Sequence, residues 1–181
     1  RTEKEKMISG DHYHPFNPQL VQEREDCKIA LSRFNNALTM GVSRQERSRL
    51  FRLILEPPHL KQQLPPIQPA GSLGEDVQVE APFTCDYGYN IMIGDEVVIG
   101  ANCTIIDPVR VSIGPRCVIG PNVCIYAGTV STNPKVRKGS KGTAIGKPIH
   151  IEEDVYIGGS AIILPGVRIR KGSTIAAGSV V

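Results

Sequence analysis

"IHIEEDVYIGGSAIILPGVRIRKGSTIAAGSVV", residues 149–181, places an aliphatic residue at every sixth position: Ile151, Ile157, Ile163, Ile169, Ile175 and Val181. A period of six fits neither a helix, which repeats every 3.6 residues, nor a plain alternating strand. It suits a short strand followed by a corner, and three such sides close one triangular coil. Coils stacked at about the 4.8 Å strand spacing share backbone hydrogen bonds and inward-pointing aliphatics with their neighbours.

Upstream, the same rule holds at Leu73, Val79 and Cys85, then at Ile93, Ile99 and Ile105, then at Ile113, Ile119 and Ile125. The steps are six within each triplet and eight between triplets, which predicts two-residue bulges at one corner. Glycine often follows the aliphatic directly, as at Gly94, Gly100, Gly120 and Gly158, and a smaller residue such as Val97, Cys103, Cys117 or Ala161 comes four positions after it. The predicted fold is mainly β, a parallel β-helix of hexapeptide repeats with about five coils over residues 71–181. Between Ile125 and Ile151 the repeat lapses in "AGTVSTNPKVRKGSKGTAIGKP", residues 127–148, where 26 residues replace the usual eight. That stretch is expected to protrude as a loop. It holds Lys135, Arg137, Lys138, Lys141 and Lys147 and no acidic residue.

Residues 1–63 read as a helical cap, since a solenoid needs its open end covered. Asn17 and Pro18 make an N-cap and first-turn pair, followed by Leu20, Cys27, Leu31, Phe34 and Leu38 on one face. Ser43 and Glu46 predict a capping box for a further helix carrying Leu50, Leu53 and Ile54, stopped by Pro57 and Pro58. The proline-rich residues 64–70 are the expected linker.

A chain of 181 residues sustains one good core. No apolar run approaches the roughly 18 residues of a membrane-spanning helix, and no secretory leader is evident, so a cytoplasmic setting is expected. A net charge of +3, scattered along the chain, is too weak to argue for a nucleic-acid or membrane surface, and neither partner is expected. The five cysteines form no CxxC pair and no His-flanked spacing, which predicts reduced thiols and no metal site. Cys85, Cys103 and Cys117 fall on the inward pattern and are read as core packing. The chain starts without Met and stops in mid-pattern, as a portion of a longer protein would.

Three stretches go beyond generic repeats: "TEKEKMISGDHY" (2–13), "PFTCDYGYNIMIG" (82–94) and the 149–181 segment. With the helical N-terminus, they resemble the maltose, galactoside and nodulation O-acetyltransferase family over nearly the whole chain. The resemblance implies a left-handed coil and a homotrimer with sites between adjacent β-helices. It also implies acetyl-CoA as cofactor along the coils and a sugar-like hydroxyl acceptor at the loop. In the family a loop histidine is the general base, an asparagine on a neighbouring coil assists it, and backbone amides stabilise the oxyanion.

Carried onto this chain, the histidine position is Val130 and the asparagine position is Gly100, so no catalytic residue is assigned. A family tyrosine corresponds to Val98 and an acid to Pro108. Asp86 and Asn17 remain as acceptor-side candidates, while Gly159, Ala177 and Lys138 are the cofactor-side candidates. The same small residues also suit tight corners, and the lysines suit a solvated loop. None of His12, His14, His59 and His150 has a spacing that places it at the acceptor. Two readings result: an impaired O-acetyltransferase, or a non-catalytic trimeric binding or scaffolding module.

Overall fold

The computed structural model describes residues 1–60 and 71–181; the expected linker at 64–70 and the end of the expected cap lie outside them. Short parallel strands form three faces. The first holds Ser72–Leu73, Ile91–Ile93, Val111–Ile113, Ile149–Ile151 and Arg168–Ile169, and the second holds Gln78–Val79, Val98–Ile99, Val118–Ile119, Tyr156–Ile157 and Thr174–Ile175. The third holds Phe83–Cys85, Cys103–Ile106, Cys124–Tyr126 and Ile162–Ile163, extended by a bridge from Ile162 to Val180.

The six-residue rule becomes a register. On the first face Leu73, Ile93, Ile113, Ile151 and Ile169 are successive Cα partners. On the second the partners are Val79, Ile99, Ile119, Ile157 and Ile175. On the third they are Cys85, Ile105, Ile125 and Ile163. Ile113 pairs directly with Ile151, so the loop leaves and rejoins the solenoid without shifting it. The inward side chains from Ile93 to Ile163 are buried in one continuous core, each contributing about 1.5–3 kcal/mol. Cys85, Cys103 and Cys117 are buried within it, as the pattern predicts.

The glycines after the aliphatics answer to the stacking. A Cβ on Gly100 would lie 2.6 Å from the Pro121 nitrogen in the next coil, and one on Gly120 would lie 2.6 Å from the Gly159 nitrogen. Such distances leave no room for a side chain where the chain turns out of the second face.

Three helices precede the coils: α1 (Glu3–Ile8), α2 (Pro18–Asn36) and α3 (Arg44–Leu55). Phe34 of α2, Phe51 of α3 and Phe83 of the first coil form a chain of edge-on rings, each 5.1 Å from the next. Asn35 exchanges two 2.9 Å hydrogen bonds with the backbone of Phe83, one from its amide to the carbonyl and one from the Phe83 N–H to its oxygen. It thus takes the place of a missing neighbour strand on an edge otherwise open to other chains.

Two local expectations change. Leu38 is 63 % exposed, because α2 ends at Asn36 and the face does not continue. The capping box at Ser43 is half made: Ser43 accepts from the Glu46 N–H at 3.1 Å, but the Glu46 carboxylate turns to Arg49 at 2.6 and 2.8 Å. A complete box forms instead at Thr2 and Glu5. Ser43→Ala is therefore expected to lower unfolding stability by about 1 kcal/mol, while Glu46→Gln leaves the chemical-denaturation midpoint unmoved. Equal losses from the two variants would show that the reciprocal bond forms in solution.

Candidate functional site

The eight-residue steps fall at the corner between the third and first faces, and the same corner launches the long loop. Asp107 sits there with no exposed surface. One carboxylate oxygen accepts the N–H groups of Asp86 at 3.2 Å and Tyr87 at 2.9 Å, and the other accepts that of Asn90 at 3.4 Å. The Asn90 amide returns a 2.7 Å bond to the Asp107 carbonyl. Asp107 therefore fixes the turn that presents Asp86. Burial pushes the Asp107 carboxyl up to about 8 against the pull of the Tyr87 N–H. Asp86 is half-buried, and burial raises its carboxyl despite Arg24 and Lys28 nearby.

The N-terminal segment packs against this corner through a polar cluster. Glu23 is buried; its carboxylate accepts from Lys4 at 2.8 Å, from Gln19 at 3.2 Å and from the Tyr89 hydroxyl at 2.6 Å. Arg24 donates to the Tyr87 hydroxyl at 2.6 Å and to the Pro15 carbonyl at 2.7 Å. Arg24 thus ties the N-terminal segment, at Pro15, to Tyr87, the neighbour of Asp86. Burial pushes the Tyr13 hydroxyl up to about 12, with Asp86 adding to it. Asn17 is partly occupied, since its side-chain oxygen caps α2 by accepting from the Gln19 N–H at 3.1 Å.

The loop is anchored at its base. Gly128–Val130 pairs antiparallel with Ala144–Gly146, and Ala144 also exchanges two backbone hydrogen bonds with Tyr13. Val130 lies opposite Ala144 and is 49 % exposed. Beyond the hairpin come a short turn of helix, α4 (Pro134–Arg137), and Lys138, whose φ of 47° lies in the left-handed region. His12 lies against the loop: its Nδ1 is 3.2 Å from the Thr143 hydroxyl. Alternation along the strands puts His12 and Thr143 on the face opposite Val130, Ala144 and Tyr13, so His12 points away from the side that carries Val130. His150 is likewise engaged elsewhere, 2.9 Å from the Ser112 hydroxyl on the first face.

Of the cofactor-side candidates, Lys138 is on the loop, while Gly159 and Ala177 lie elsewhere. Gly159 and Ala177 follow successive second-face strands at the corner between the second and third faces, where Gly158 approaches the Ala177 backbone; Gly100, the asparagine position, lies at the same corner two coils earlier. Asp86, Pro108, Val130 and Lys138 belong to the corner at the other end of the third face or to the loop it launches. One chain thus separates the small-residue corner from the Asp86 corner and the loop by the width of a face.

A family model described as the maltose acetyltransferase hexapeptide capping motif matches residues 6–58. A second, described as the hexapeptide repeat of succinyl-transferase, matches residues 90–127 and 148–181. Nodulation protein L of Rhizobium meliloti is 35 % identical over 167 residues, covering 92 % of this chain and 81 % of that protein. The chain belongs to the maltose, galactoside and nodulation family of hexapeptide-repeat O-acetyltransferases.

Two solved hexapeptide-repeat acetyltransferases extend the likeness to coordinates. A maltose O-acetyltransferase from Clostridium difficile superposes with a TM-score of 0.84 at 35 % identity, over 100 % of this chain and 87 % of that one. A Vibrio cholerae member solved with acetyl-CoA gives a TM-score of 0.81 at 31 % identity, again over 100 % and 87 %. Residues 127–148 of this chain contain no histidine. No helix among the described residues is long and apolar enough to cross a membrane.

Sequence reading missed Asp107, Glu23 and Arg24. Asp107 follows the inward Ile105 at a bulge, where a polar residue looks like ordinary turn chemistry. Glu23 lies between Leu20 and Cys27 on the buried face of α2, so an acid there was itself the available signal.

Proposed function

We propose that this chain is a homotrimeric, acetyl-CoA-binding relative of the sugar O-acetyltransferases in which acetyl transfer to a sugar-like hydroxyl is severely impaired. In this reading residues 1–63 cap the solenoid, residues 71–181 form the β-helix, and the protein works in the cytosol. The observation that carries it is Val130. At the loop position the family reserves for its base stands an exposed aliphatic, on a hairpin anchored to the N-terminal segment.

Acetyl-CoA, when bound, supplies an acetyl group activated as a thioester. The fit on this chain rests on the small residues Gly159, Ala176 and Ala177, of which the two alanines are exposed, so that no large side chain stands between a slender ligand chain and the coil. Lys138, exposed on the loop, would meet anionic phosphates. Asp86 would accept a hydrogen bond from the acceptor hydroxyl, with Asn17 of the N-terminal segment as the second acceptor-side residue. As that hydroxyl attacks, its proton needs a base, and residue 130 offers none. The separation of the loop from the corner of Gly159 and Ala177 by one face supports the trimer, since a neighbouring chain would bring the loop of one against the small residues of the next.

A non-catalytic binding or scaffolding role is the second reading, favoured by Gly100, where the next coil leaves no space for an assisting side chain. Calorimetric titration with acetyl-CoA, run beside steady-state transfer to a panel of sugars, tests both. The expected result is acetyl-CoA binding with turnover about 10²–10⁴ below histidine-bearing relatives. Turnover equal to theirs would sink the impairment, and no acetyl-CoA binding would leave only the scaffold. A monomer by light scattering would contradict the trimer.

A further inference from the structure

Two thiols outside the proposed chemistry meet in the core. Cys27 on α2 and Cys85 at the end of the first third-face strand lie 58 positions apart in sequence, yet their sulfurs are 3.6 Å apart. Both are buried, and both are free. Sulfurs in van der Waals contact need to close by only about 1.6 Å to reach the 2.05 Å bond length. Rotation about the Cα–Cβ bonds moves a sulfur by that amount without displacing the backbone far.

We propose that Cys27 and Cys85 are a redox-sensitive modification site, forming an internal disulfide with a small-molecule disulfide as oxidant. A thiolate from one of them attacks the oxidant, releasing one small thiol and leaving a mixed disulfide. The second thiolate then displaces the other small thiol, forming the Cys27–Cys85 bond. The two protein thiols lose two electrons and two protons, and the oxidant leaves as two thiols.

The placement gives the bond a consequence. Cys27 lies one turn beyond Glu23 and Arg24, and Cys85 immediately precedes Asp86. The link would tie the helix that carries the Glu23 and Arg24 contacts to the strand that feeds the Asp86 turn, across the interface between cap and coil. Burial raises the Cys85 thiol well above its ordinary range, so reaction waits for α2 to lift. The bond, once made, opposes that lifting. This inference stands independently of whether the chain transfers acetyl groups.

The test uses the whole chain, incubated with oxidised glutathione at a temperature a few degrees below its unfolding midpoint, then mapped as peptides without reduction. The expected results are a linked Cys27–Cys85 peptide, a loss of two titratable thiols, and a midpoint raised by roughly 5–10 °C that dithiothreitol reverses. Cys27→Ala, which places a good helix former in α2, abolishes both the link and the shift. Glutathione adducts alone, a link through other cysteines, or five thiols still titratable would overturn the proposal.

Discussion

The Val130→His variant is expected to transfer acetyl to a sugar acceptor at least about 10²-fold faster than the unaltered chain, with acetyl-CoA binding unchanged. A positioned base contributes about 10²–10⁴ in rate. Position 130 suits one because the hairpin that carries it is already held, by pairing with residues 144–146 and by the Tyr13–Ala144 bridge. The side chain there is half-exposed, so an imidazole replaces valine without being forced into the core. The gain should follow pH, rising as the imidazole loses its proton near its ordinary pKa of about 6.5.

Gly100→Asn does not belong in the same variant. Its Cβ would enter the Pro121 backbone at 2.6 Å, so that change should lower the unfolding midpoint and obscure any catalytic gain. If Val130→His binds acetyl-CoA and gains no turnover, then the acceptor side has gone as well as the base, and the scaffold reading prevails.

Unfolding stability is expected to fall as pH rises from about 4 to 8, and Asp107 is the reason. Its carboxyl is held at about 8 in the fold, against 3.8 as an ordinary aspartate. A group whose folded pKa is raised stabilises fully below its unfolded pKa and loses that contribution as pH climbs through the folded one. Each pH unit in the window is worth about 1.4 kcal/mol, so the whole effect is on the order of 5 kcal/mol. Asp86, also raised, acts in the same direction.

Two variants separate charge from hydrogen bonding. Asp107→Asn keeps an oxygen for the Asp86 and Tyr87 N–H groups and cannot ionise, so it should cost about 1 kcal/mol at pH 5 and flatten the slope. Asp107→Ala leaves three backbone N–H groups unpaired and a void, and should cost about 3–5 kcal/mol. Stability that holds steady or rises between pH 5 and 8 would mean that the buried carboxylate is ionised.

Much of the solenoid was legible because its rule is local and repeated. Each aliphatic at the sixth position predicts both a strand and an inward direction, and the Cα registers stack those residues. The absence of a loop histidine was equally plain. Less legible was the cap. Ser43 and Glu46 have the spacing of a capping box, yet Arg49 competes for the Glu46 carboxylate through a bond that spacing alone does not rank. Leu38 keeps the apolar period past the point where α2 stops, and period carries no information on where a helix loses its neighbour.

The sequence by itself determined the coil, its five turns and its corner bulges, since these depend on residues a fixed few positions apart, and it shows directly that residues 127–148 hold no histidine. Tertiary structure alone decided the rest. It placed Cys27 against Cys85, Asn35 along the Phe83 edge, and Asp107 under the Asp86 turn, and it separated Gly100 from Val130 by the width of a face. Those relations join or separate residues 20 to 58 positions apart in sequence, and the Arg24–Tyr87 bond spans 63. They follow from how the helices seat on the first coil and how the coils close, and no local period encodes either.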